Sequence, residues 1–335
     1  MREVRAPGRA RVAVLGAGLI GLDLAERVRR SEVLDCVLVA GRHEQTLGLR
    51  RAAEMGCATA AGGIASVLEA GPFDIVCDAS NAQAHPGHWA RLRPTGALLL
   101  DLTPSCLGTM VVPTVNGAVA VAGGNISLIT CGGQAAIPVL HALAQHSLCG
   151  YVEVVCSGAS ATAGRATRLN IDHYIHTTQA AVRAFTGAPE VKVMLALSPA
   201  NPPPPFRVSM TLVPASLGAG MAAAAAGAVV GAAAQSVRAF APGFAVRFCR
   251  VVGDQIRVAV EVSAPGGRIP AYAGNLEIIN AAAVLLAEQY ANRREGASPH
   301  AANPDAADPD AAGPVGAGLG AAGLSGGKDA AWTAS

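Results

Sequence analysis

Aromatic and charged residues are scarce in this chain of 335 residues. Only 4% of the residues are aromatic and 14% are charged, whereas 51% are apolar. We therefore expect a core of Ala, Val, Leu and Ile, in a chain long enough for two domains. The net charge is only +2, and no basic cluster is interleaved with aromatic residues. These absences argue against a protein that binds nucleic acid.

The eight cysteines form no C-x-x-C pair and lack zinc-finger spacing with histidine. They predict reduced thiols in a cytoplasmic protein and no metal site. Residues 1–11 are polar and basic, without the apolar stretch of a secretory signal. The uncharged segment 216–234 consists mainly of Ala and Gly, which drive membrane insertion far less than Leu or Ile. We therefore expect a helix there that is buried at a dimer interface or against the sheet, and no membrane association.

A glycine pattern stands near the start of the sequence. Residues 11–15 predict a buried parallel strand, and residues 22–30 carry apolar side chains at helical spacing. Between them lies G-x-G-x-x-G, with glycines at 16, 18 and 21. In dinucleotide-binding loops these glycines permit a tight turn, the approach of a pyrophosphate and close helix packing. The context favours a nicotinamide dinucleotide over an ordinary turn between strand and helix.

Strands and helices alternate over the first 130 residues, which predicts a doubly wound parallel sheet. The other strands are expected at 33–40, 73–79, 97–102 and 125–130, and helices at 47–55 and 64–70. After the second strand, the chain has Arg42 and His43 where NAD-binding proteins usually have an acidic residue. This cationic pair can accept the 2′-phosphate of NADP, so both NAD and NADP are candidate cofactors.

A thiol follows the last of these strands. Cys131 comes directly after the predicted strand, and Gly132 and Gly133 open a segment that can become a helix. Parallel sheets bind ligands at the carboxyl ends of their strands. The free N–H groups and dipole of a helix N-terminus favour the thiolate, the nucleophilic form of cysteine. Cys131 is thus a candidate nucleophile for a carbonyl carbon, and the alternative is a buried cysteine beside a glycine turn.

The second half of the sequence predicts an antiparallel sheet with helices on one face. Strands are expected at 151–157, 191–197, 207–214 and, as a pair, within 245–262; helices are expected at 172–186, 221–240 and 276–293. Residues 163–170 predict a loop of small residues with two cations. Residues 295–335 contain almost no large apolar side chain, so we expect a disordered tail.

Taken together, these segments resemble the acylating acetaldehyde dehydrogenase family. The resemblance spans residues 11–291 and is carried by GAGLIG at 16–21, DLTP at 101–104, TCGGQA at 130–135, TRLNID at 167–172 and PAYAGNL at 270–276. It implies an α/β fold: a Rossmann-type doubly wound parallel sheet over 1–131, completed by helix 276–293, and a second α+β dimerisation or substrate domain over 132–275. It also implies oxidation of a small aldehyde, acetaldehyde, to acetyl-CoA with NAD and CoA, by a homodimer acting in aromatic hydrocarbon catabolism.

The resemblance further implies roles for individual residues. Cys131 matches the nucleophile that forms the acyl thioester, and Asn275 matches a residue near the nicotinamide. The positions that match the two cofactor loops are Ala17, Gly18, Leu19 and Ile20, and then Thr162, Ala163, Gly164, Arg165, Ala166, Thr167, Arg168, Leu169 and Asn170. The oxygen of a thiohemiacetal needs hydrogen-bond donors. The candidates are the Asn170 amide, which can alternatively stabilise its loop, and the backbone N–H groups of Gly132 and Gly133.

Three features depart from the family pattern. Val208 stands where many members have an aspartate, so acid–base help falls to His173 or His176 unless both are surface residues. The connector 250–269 is shorter than in members that pair with a 4-hydroxy-2-oxovalerate aldolase, which argues against that partner. Residues 41–43 lack the acidic residue typical of NAD binding. A biosynthetic reductase of acyl thioesters and a non-catalytic dinucleotide-binding homologue stay open as alternative functions.

Overall fold

The computed structural model describes residues 8–296, except 217 and 219. The strands are β1 (Ala10–Leu15), β2 (Leu34–Gly41), β3 (Thr59–Ala61), β4 (Ile75–Asp78), β5 (Leu98–Asp101), β6 (Thr109–Met110), β7 (Asn125–Ser127), β8 (Cys149–Ala159), β9 (Glu190–Ser198), β10 (Phe206–Pro214), β11 (Phe244–Val252) and β12 (Gln255–Val262). The helices are α1 (Leu19–Arg30), α2 (Leu47–Glu54), α3 (Ile64–Ala70), α4 (His85–Leu92), α5 (Pro113–Asn116), α6 (Cys131–Ala144), α7 (Arg165–Leu169), α8 (Ile171–Thr186), α9 (Ala223–Arg238) and α10 (Gly274–Gly296).

The first sheet has seven parallel strands in the order β3-β2-β1-β4-β5-β7-β6. Both of its faces are covered, because Val12 and Val14 of β1 belong to one buried cluster and Ala13 and Leu15 belong to another. The predicted doubly wound sheet is therefore confirmed. The carboxyl ends of β1, β4, β5 and β7 lie side by side, so the segments that follow these strands meet at one edge.

The second sheet has five strands in the order β11-β12-β10-β8-β9, and it is mixed. Three of its four strand pairs are antiparallel, but β8 and β9 run parallel. The prediction of a purely antiparallel sheet is wrong at this pair. The chain between β8 and β9 crosses over through α7 and α8, which returns it to the same end of the sheet and makes the next strand parallel.

Three helices, α4, α5 and α7, were not predicted from the sequence. The short helix α7 occupies most of 163–170, where we expected a loop. Helix α4 begins with His85 and has Pro86 in its first turn, a position where proline lacks only an N–H that has no helical partner. Proline and glycine so close together are typical of turns, so the pattern gave no helix signal.

Helix α9 lies within the apolar segment, and one stripe of it is buried. The buried residues are Ala226, Val230, Ala234 and Val237, which belong to the core of the second sheet. The helix therefore packs against the sheet along this stripe, as one of the two alternatives predicted, but most of its other residues are exposed. Within the described ranges, no helix combines the length and the apolar character needed to cross a bilayer.

Helix α10 contributes to the cores of both sheets. Ile279 and Leu286 pack in the core of the parallel sheet, whereas Ile278 and Ala281 pack in the core of the mixed sheet. The helix therefore joins the two layers, and a domain boundary at residue 131 stays a prediction. The predicted tail, 295–335, begins inside the last turn of α10, and its residues 297–335 lie outside the described residues.

Candidate active site

The first turn of α6 holds the candidate nucleophile. Thr130 is the N-cap, and its Oγ1 accepts a hydrogen bond of 2.9 Å from the Gly133 N–H. Cys131 is the first helical residue and is half-buried. The preceding Ile129 has φ +64°, a left-handed conformation that is strained for a β-branched residue. Strained backbone clusters at functional sites, and here it sets the turn that brings the thiol to the sheet edge.

The pKa of Cys131 is not lowered overall, contrary to the expectation from its helix position. Burial raises the pKa of the Cys131 thiol, while hydrogen bonds from Tyr174 and from the backbone of Gly132 and Cys131 oppose the rise without cancelling it. Desolvation disfavours the charged form of any thiol, and the positive end of one helix does not outweigh it here. Thiolate formation therefore depends on the side chains that surround the sulfur.

Tyr174 is the residue of this site that we did not predict. It lies on α8, it is 5% exposed, and its Oη is 3.6 Å from the Cys131 Sγ. The same Oη accepts a hydrogen bond of 3.0 Å from the Gly132 N–H. Tyr174 is one of only four tyrosines in the chain. Its place just after the TRLNID segment was the one indication in the sequence that it belongs to the site.

The two backbone donors that we expected for an oxyanion are already in use. The Gly132 N–H donates to Tyr174, and the Gly133 N–H donates to the Oγ1 of Thr130. The prediction that both N–H groups face the substrate oxygen is therefore wrong, because side chains cap this helix end. Asn170, which is 3% exposed, remains the candidate donor.

A pocket of about 90 Å³ opens over Cys131 at the carboxyl edge of the parallel sheet. Of the predicted site residues, those that line it are Ile20, Cys131, Thr167, Asn170 and Asn275. Loops after β4 and β5 complete the lining with Ser80, Asn81 and Thr103. The structure thus brings together residues from five separate segments of the chain around one thiol. Such convergence at a sheet edge is typical of α/β active sites.

The other described side chains of the second predicted cofactor loop lie outside this lining. Thr162 is buried and donates to the Ala159 carbonyl, and Arg168 bonds the carbonyl groups of Ala163 and Ser160. Gly164 has open space beside it, and Leu169 is 66% exposed. Arg165 and Ala166 are part of α7. Much of this segment therefore holds its own conformation, and its cofactor contact stays a prediction.

The glycine loop has the shape that a dinucleotide needs. Gly16 has φ +113°, and a Cβ there would lie 2.5 Å from the Ala79 carbonyl oxygen. A Cβ on Gly21 would lie 1.8 Å from the Gly16 oxygen, so both positions require glycine. Gly18, the N-cap of α1, has open space instead. Ala17 lies in the same turn, and Leu19 is 43% exposed in the first turn of α1, so a pyrophosphate can reach the helix N-terminus.

Two buried oxygens point to a ligand in the pocket. The Oδ1 of Asn275 and the Oγ1 of Thr103 have no hydrogen-bond partner within the described residues. Buried polar atoms are rarely left unpaired, and a bound amide or hydroxyl would satisfy them. The residues present therefore fit a nicotinamide dinucleotide.

Arg42 and His43 are exposed at the end of β2, next to the strand that leads into the glycine loop.

A buried polar network supports the floor of the pocket. Asp78, at the end of β4, accepts hydrogen bonds from Ser80 and from the Nδ1 atoms of His85 and His88, at 2.8 Å and 2.7 Å. Asp101, at the end of β5, accepts from the N–H of Thr103. Ser80 and Thr103 both line the pocket, so the network fixes the two loops that shape it.

The charges of this network follow from burial and pairing. Burial acts to raise the pKa of Asp78, but hydrogen bonds from both histidines and Ser80 prevail and hold it far below its usual value. Burial raises the pKa of Asp101 to about 6 despite the nearby His85. Asp78, His85 and Asp101 each offer an atom that could bind a metal ion, and these atoms lie within 4.8 Å of one another. The direct contact of 2.8 Å between Asp78 and His85 identifies the group as a hydrogen-bond network.

The three other candidates do not line the pocket. Val208 is fully buried in β10, between Cys156 and Val260 on the neighbouring strands. His173 and His176 are exposed on α8 and do not line the pocket. The histidines are therefore surface residues, and the place of the expected carboxylate is apolar.

Comparison with known proteins gives relatives that cover most of the chain. The family model for the prokaryotic acetaldehyde dehydrogenase dimerisation domain matches residues 131–270. The acetaldehyde dehydrogenase of Streptomyces griseus is 52% identical over 85% of this chain and 91% of its own length. That of Pectobacterium atrosepticum is 38% identical over 86% and 98%. Aspartate semialdehyde dehydrogenase II of Vibrio cholerae, a solved structure, has the same fold, with a TM-score of 0.58 at 14% identity over 85% of this chain and 99% of its own.

Proposed function

This chain belongs to the acetaldehyde dehydrogenase family, and from that premise we propose that it is a CoA-acylating aldehyde dehydrogenase that converts acetaldehyde, CoA and NAD(P) to acetyl-CoA and NAD(P)H. The observation that carries the proposal is the pocket in which the Cys131 thiol meets Asn170, Asn275 and the first turn of α1. A thiol, an amide donor and an anion-binding helix N-terminus are the parts that this reaction needs.

The chemistry begins at the sulfur of Cys131. The thiolate adds to the aldehyde carbon, and the resulting thiohemiacetal oxygen is stabilised by the Asn170 amide. A bound nicotinamide dinucleotide supplies the acceptor for the hydride that the oxidation removes. Cys131 then holds the acyl group as a thioester. The thiol of CoA attacks the carbonyl and releases its proton to solvent. The bond between carbon and the Cys131 sulfur then breaks, and its electron pair returns to that sulfur.

Turnover with and without the thiol tests this function. We expect the full chain to reduce NAD or NADP when acetaldehyde and CoA are present, measured by the absorbance of the reduced cofactor. Cys131→Ala should lower kcat by about a thousandfold or more, as loss of a nucleophile does. Cys106→Ala changes another thiol, an exposed one, and should leave the rate unchanged.

The same assay separates the alternatives. Acetyl-CoA or longer acyl-CoAs with NADPH would turn over faster than acetaldehyde if the protein were a biosynthetic reductase. A non-catalytic homologue would give no turnover in either direction. Wild-type rates in Cys131→Ala would contradict the enzyme function altogether.

Recognition of NADP would depend on the end of β2. Arg42 and His43 are exposed there, and a cation beside the adenosine ribose can pair with a 2′-phosphate. We compare kcat/KM for NAD and NADP in the wild type and in Arg42→Ser. A selective loss of NADP use supports this role of Arg42, whereas equal changes for both cofactors exclude it. The aldolase partner stays a prediction against which only the short 250–269 connector argues.

We also propose that the outer face of the mixed sheet is the dimer surface. One row of this face crosses all five strands through Phe248, Ala259, Ser209, Val155 and Met194. These side chains are apolar or small, and all but Ala259 are at least partly exposed. The family model named for dimerisation covers all of these strands, which supports a second copy of this chain as the occupant.

Charged residues border that row on the same face. On one side Glu261 pairs with Arg207, at 2.7 Å, and with Arg247. On the other side lie Arg257 and Glu153, each two residues further along its strand. An apolar centre with a polar rim is typical of protein interfaces.

A further inference from the structure

We propose that Tyr174 activates Cys131: its phenol O–H donates a hydrogen bond to the Cys131 Sγ and stabilises the thiolate. The proposal rests on the nucleophilic role proposed for Cys131. It assigns to a tyrosine the task for which the expected carboxylate is absent, since Val208 is apolar and both nearby histidines face outward.

The hydrogen-bond pattern limits where the phenol proton of Tyr174 can point. The Tyr174 oxygen already accepts the Gly132 N–H, which is one of the unpaired donors of the α6 N-terminus. The phenol proton must therefore point to another acceptor. Burial and the neighbouring thiols raise the pKa of Tyr174 well above its usual value, so the phenol keeps that proton.

Two sulfur atoms compete for the proton. They are the Cys131 Sγ, 3.6 Å from the Oη, and the Cys156 Sγ on β8. Burial raises the pKa of Cys156 to about 12, so this thiol stays neutral. Once Cys131 ionises, it is the charged and hence the stronger acceptor. The titratable groups with the largest influence on Tyr174 are these two thiols.

The packing keeps the phenol and the thiol together. A Cβ at Gly132 would lie 2.3 Å from both the Tyr174 Oη and the Cys156 Sγ, so glycine is what allows the oxygen to reach the helix end. On the other side, Thr130 and Thr178 join α6 to α8 by a hydrogen bond of 2.8 Å between their Oγ1 atoms. The two helices that carry the reacting sulfur and its donor are thus fastened to each other.

The bond would serve both halves of the reaction. Before acylation it increases the fraction of Cys131 that is ionised. During deacylation the electron pair of the breaking bond between carbon and sulfur returns to the Cys131 Sγ, and the same O–H stabilises the leaving thiolate. Asn170 is left to stabilise the substrate oxygen.

Alkylation of Cys131 by iodoacetamide, followed by mass spectrometry of the peptide that contains it, tests the proposal without turnover. We expect Tyr174→Phe to raise the pKa of the alkylation profile by about one unit, which lowers the rate at neutral pH about tenfold. At neutral pH, kcat/KM of Tyr174→Phe should fall by the same factor as the alkylation rate. This difference from the wild type should disappear above the new pKa of Cys131. Tyr151→Phe is the matched control, because its phenol is bonded to Glu153 on β8 instead.

A fluorinated tyrosine at position 174 guards against a purely structural effect. Its phenol has the same size but is a stronger donor, so the alkylation pKa of Cys131 should fall. If Tyr174→Phe folds, an unchanged alkylation profile of Cys131 overturns the proposal. If it does not fold, the proposal is overturned by an alkylation pKa that is unchanged or raised with the fluorinated residue. If the profile shifts as expected but no acyl-CoA forms, the proposed function fails and the interaction stands.

Discussion

Three glycines near the site differ in what a methyl group would meet. At Gly132 it would meet the phenol of Tyr174, and at Gly21 it would meet the carbonyl oxygen of Gly16. At Gly18 it would meet nothing within 4 Å. Glycine at the first two positions is explained by the folded protein alone. At Gly18 the empty space has no structural use within the described residues, which is what a ligand-binding position requires.

Gly18→Ala should therefore impair the cofactor and not the fold. Its backbone, with φ −81° and ψ −170°, suits alanine, so we expect an unchanged melting temperature. The added methyl group would reach into the space proposed for the pyrophosphate and should raise the KM for NAD about tenfold. Gly21→Ala is the matched control, because overlap at 1.8 Å should lower the free energy of unfolding by about 1–3 kcal/mol. A normal KM in Gly18→Ala would exclude this loop as the pyrophosphate site.

Asp78→Asn should destabilise the protein in a manner that depends on pH. The change removes the carboxylate that His85, His88 and Ser80 bond, and breaking a buried charged pair costs about 3–5 kcal/mol at neutral pH. The pKa of Asp78 is lower in the folded than in the unfolded state, so its contribution is complete above about pH 4 and is lost on acidification.

Urea unfolding of the wild type and Asp78→Asn from pH 7 down to 3 measures this contribution. The difference in unfolding free energy should shrink below about pH 4 by about 1.4 kcal/mol per pH unit. Asp35→Asn, on the exposed side of β2, should stay within about 0.5 kcal/mol of the wild type. A difference that is constant with pH would mean that Asp78 is not ionised in the folded protein.

Among the elements, α6 and α8 depend on each other through one threonine. The Oγ1 of Thr130 caps α6 by accepting from Gly133 and is also bonded to Thr178 on α8. Thr130→Val keeps the shape but removes both bonds, which should lower the free energy of unfolding by about 2 kcal/mol. Thr130→Ser keeps the hydroxyl and should lose much less. Urea unfolding at neutral pH compares them, and equal stability of valine and serine would show that the cap contributes nothing.

The parts of the site that the sequence revealed are those carried by consecutive residues. The glycine loop, Cys131 and Asn275 each stand in a short pattern, and these three segments of the chain meet at one edge. Tyr174 could not be found in this way, because it lies 43 residues from Cys131 and meets it only through the packing of α8 on α6. The prediction for the Gly132 N–H was wrong for the same reason, because its acceptor is Tyr174, whereas the Gly133 N–H bonds to Thr130 only three residues earlier.

The same distinction holds for the fold. Continuous apolar runs identify buried strands, and the parallel sheet was predicted on that basis. The direction of β9 beside β8 depends on the path of the chain between them, which periodicity does not contain. Helix α4 also escaped, because Pro86 and Gly87 indicate a turn unless their place in the first helical turn is known.

For the whole molecule, the proposed dimer surface on the outer face of the mixed sheet would decide the assembly. Ser209 lies at the centre of the row that crosses this face, paired with Val155 on one side and Ala259 on the other. Around a two-fold axis the same patch of both copies meets, so a charge at its centre faces its own copy. Ser209→Arg should therefore place two unpaired cations in an apolar contact and separate the subunits, at a cost of several kcal/mol.

Sedimentation velocity of both forms tests this expectation. The wild type should sediment at about twice the chain mass of 33.5 kDa, and Ser209→Arg should sediment as the single chain. Ser236→Arg adds the same charge on the exposed side of α9 and should remain a dimer. A dimer that persists in Ser209→Arg would move the interface off this sheet. Because Cys131 and Tyr174 lie on helices of the opposite, inner face, we expect the separated subunits to keep the alkylation pKa of Cys131 even if turnover falls.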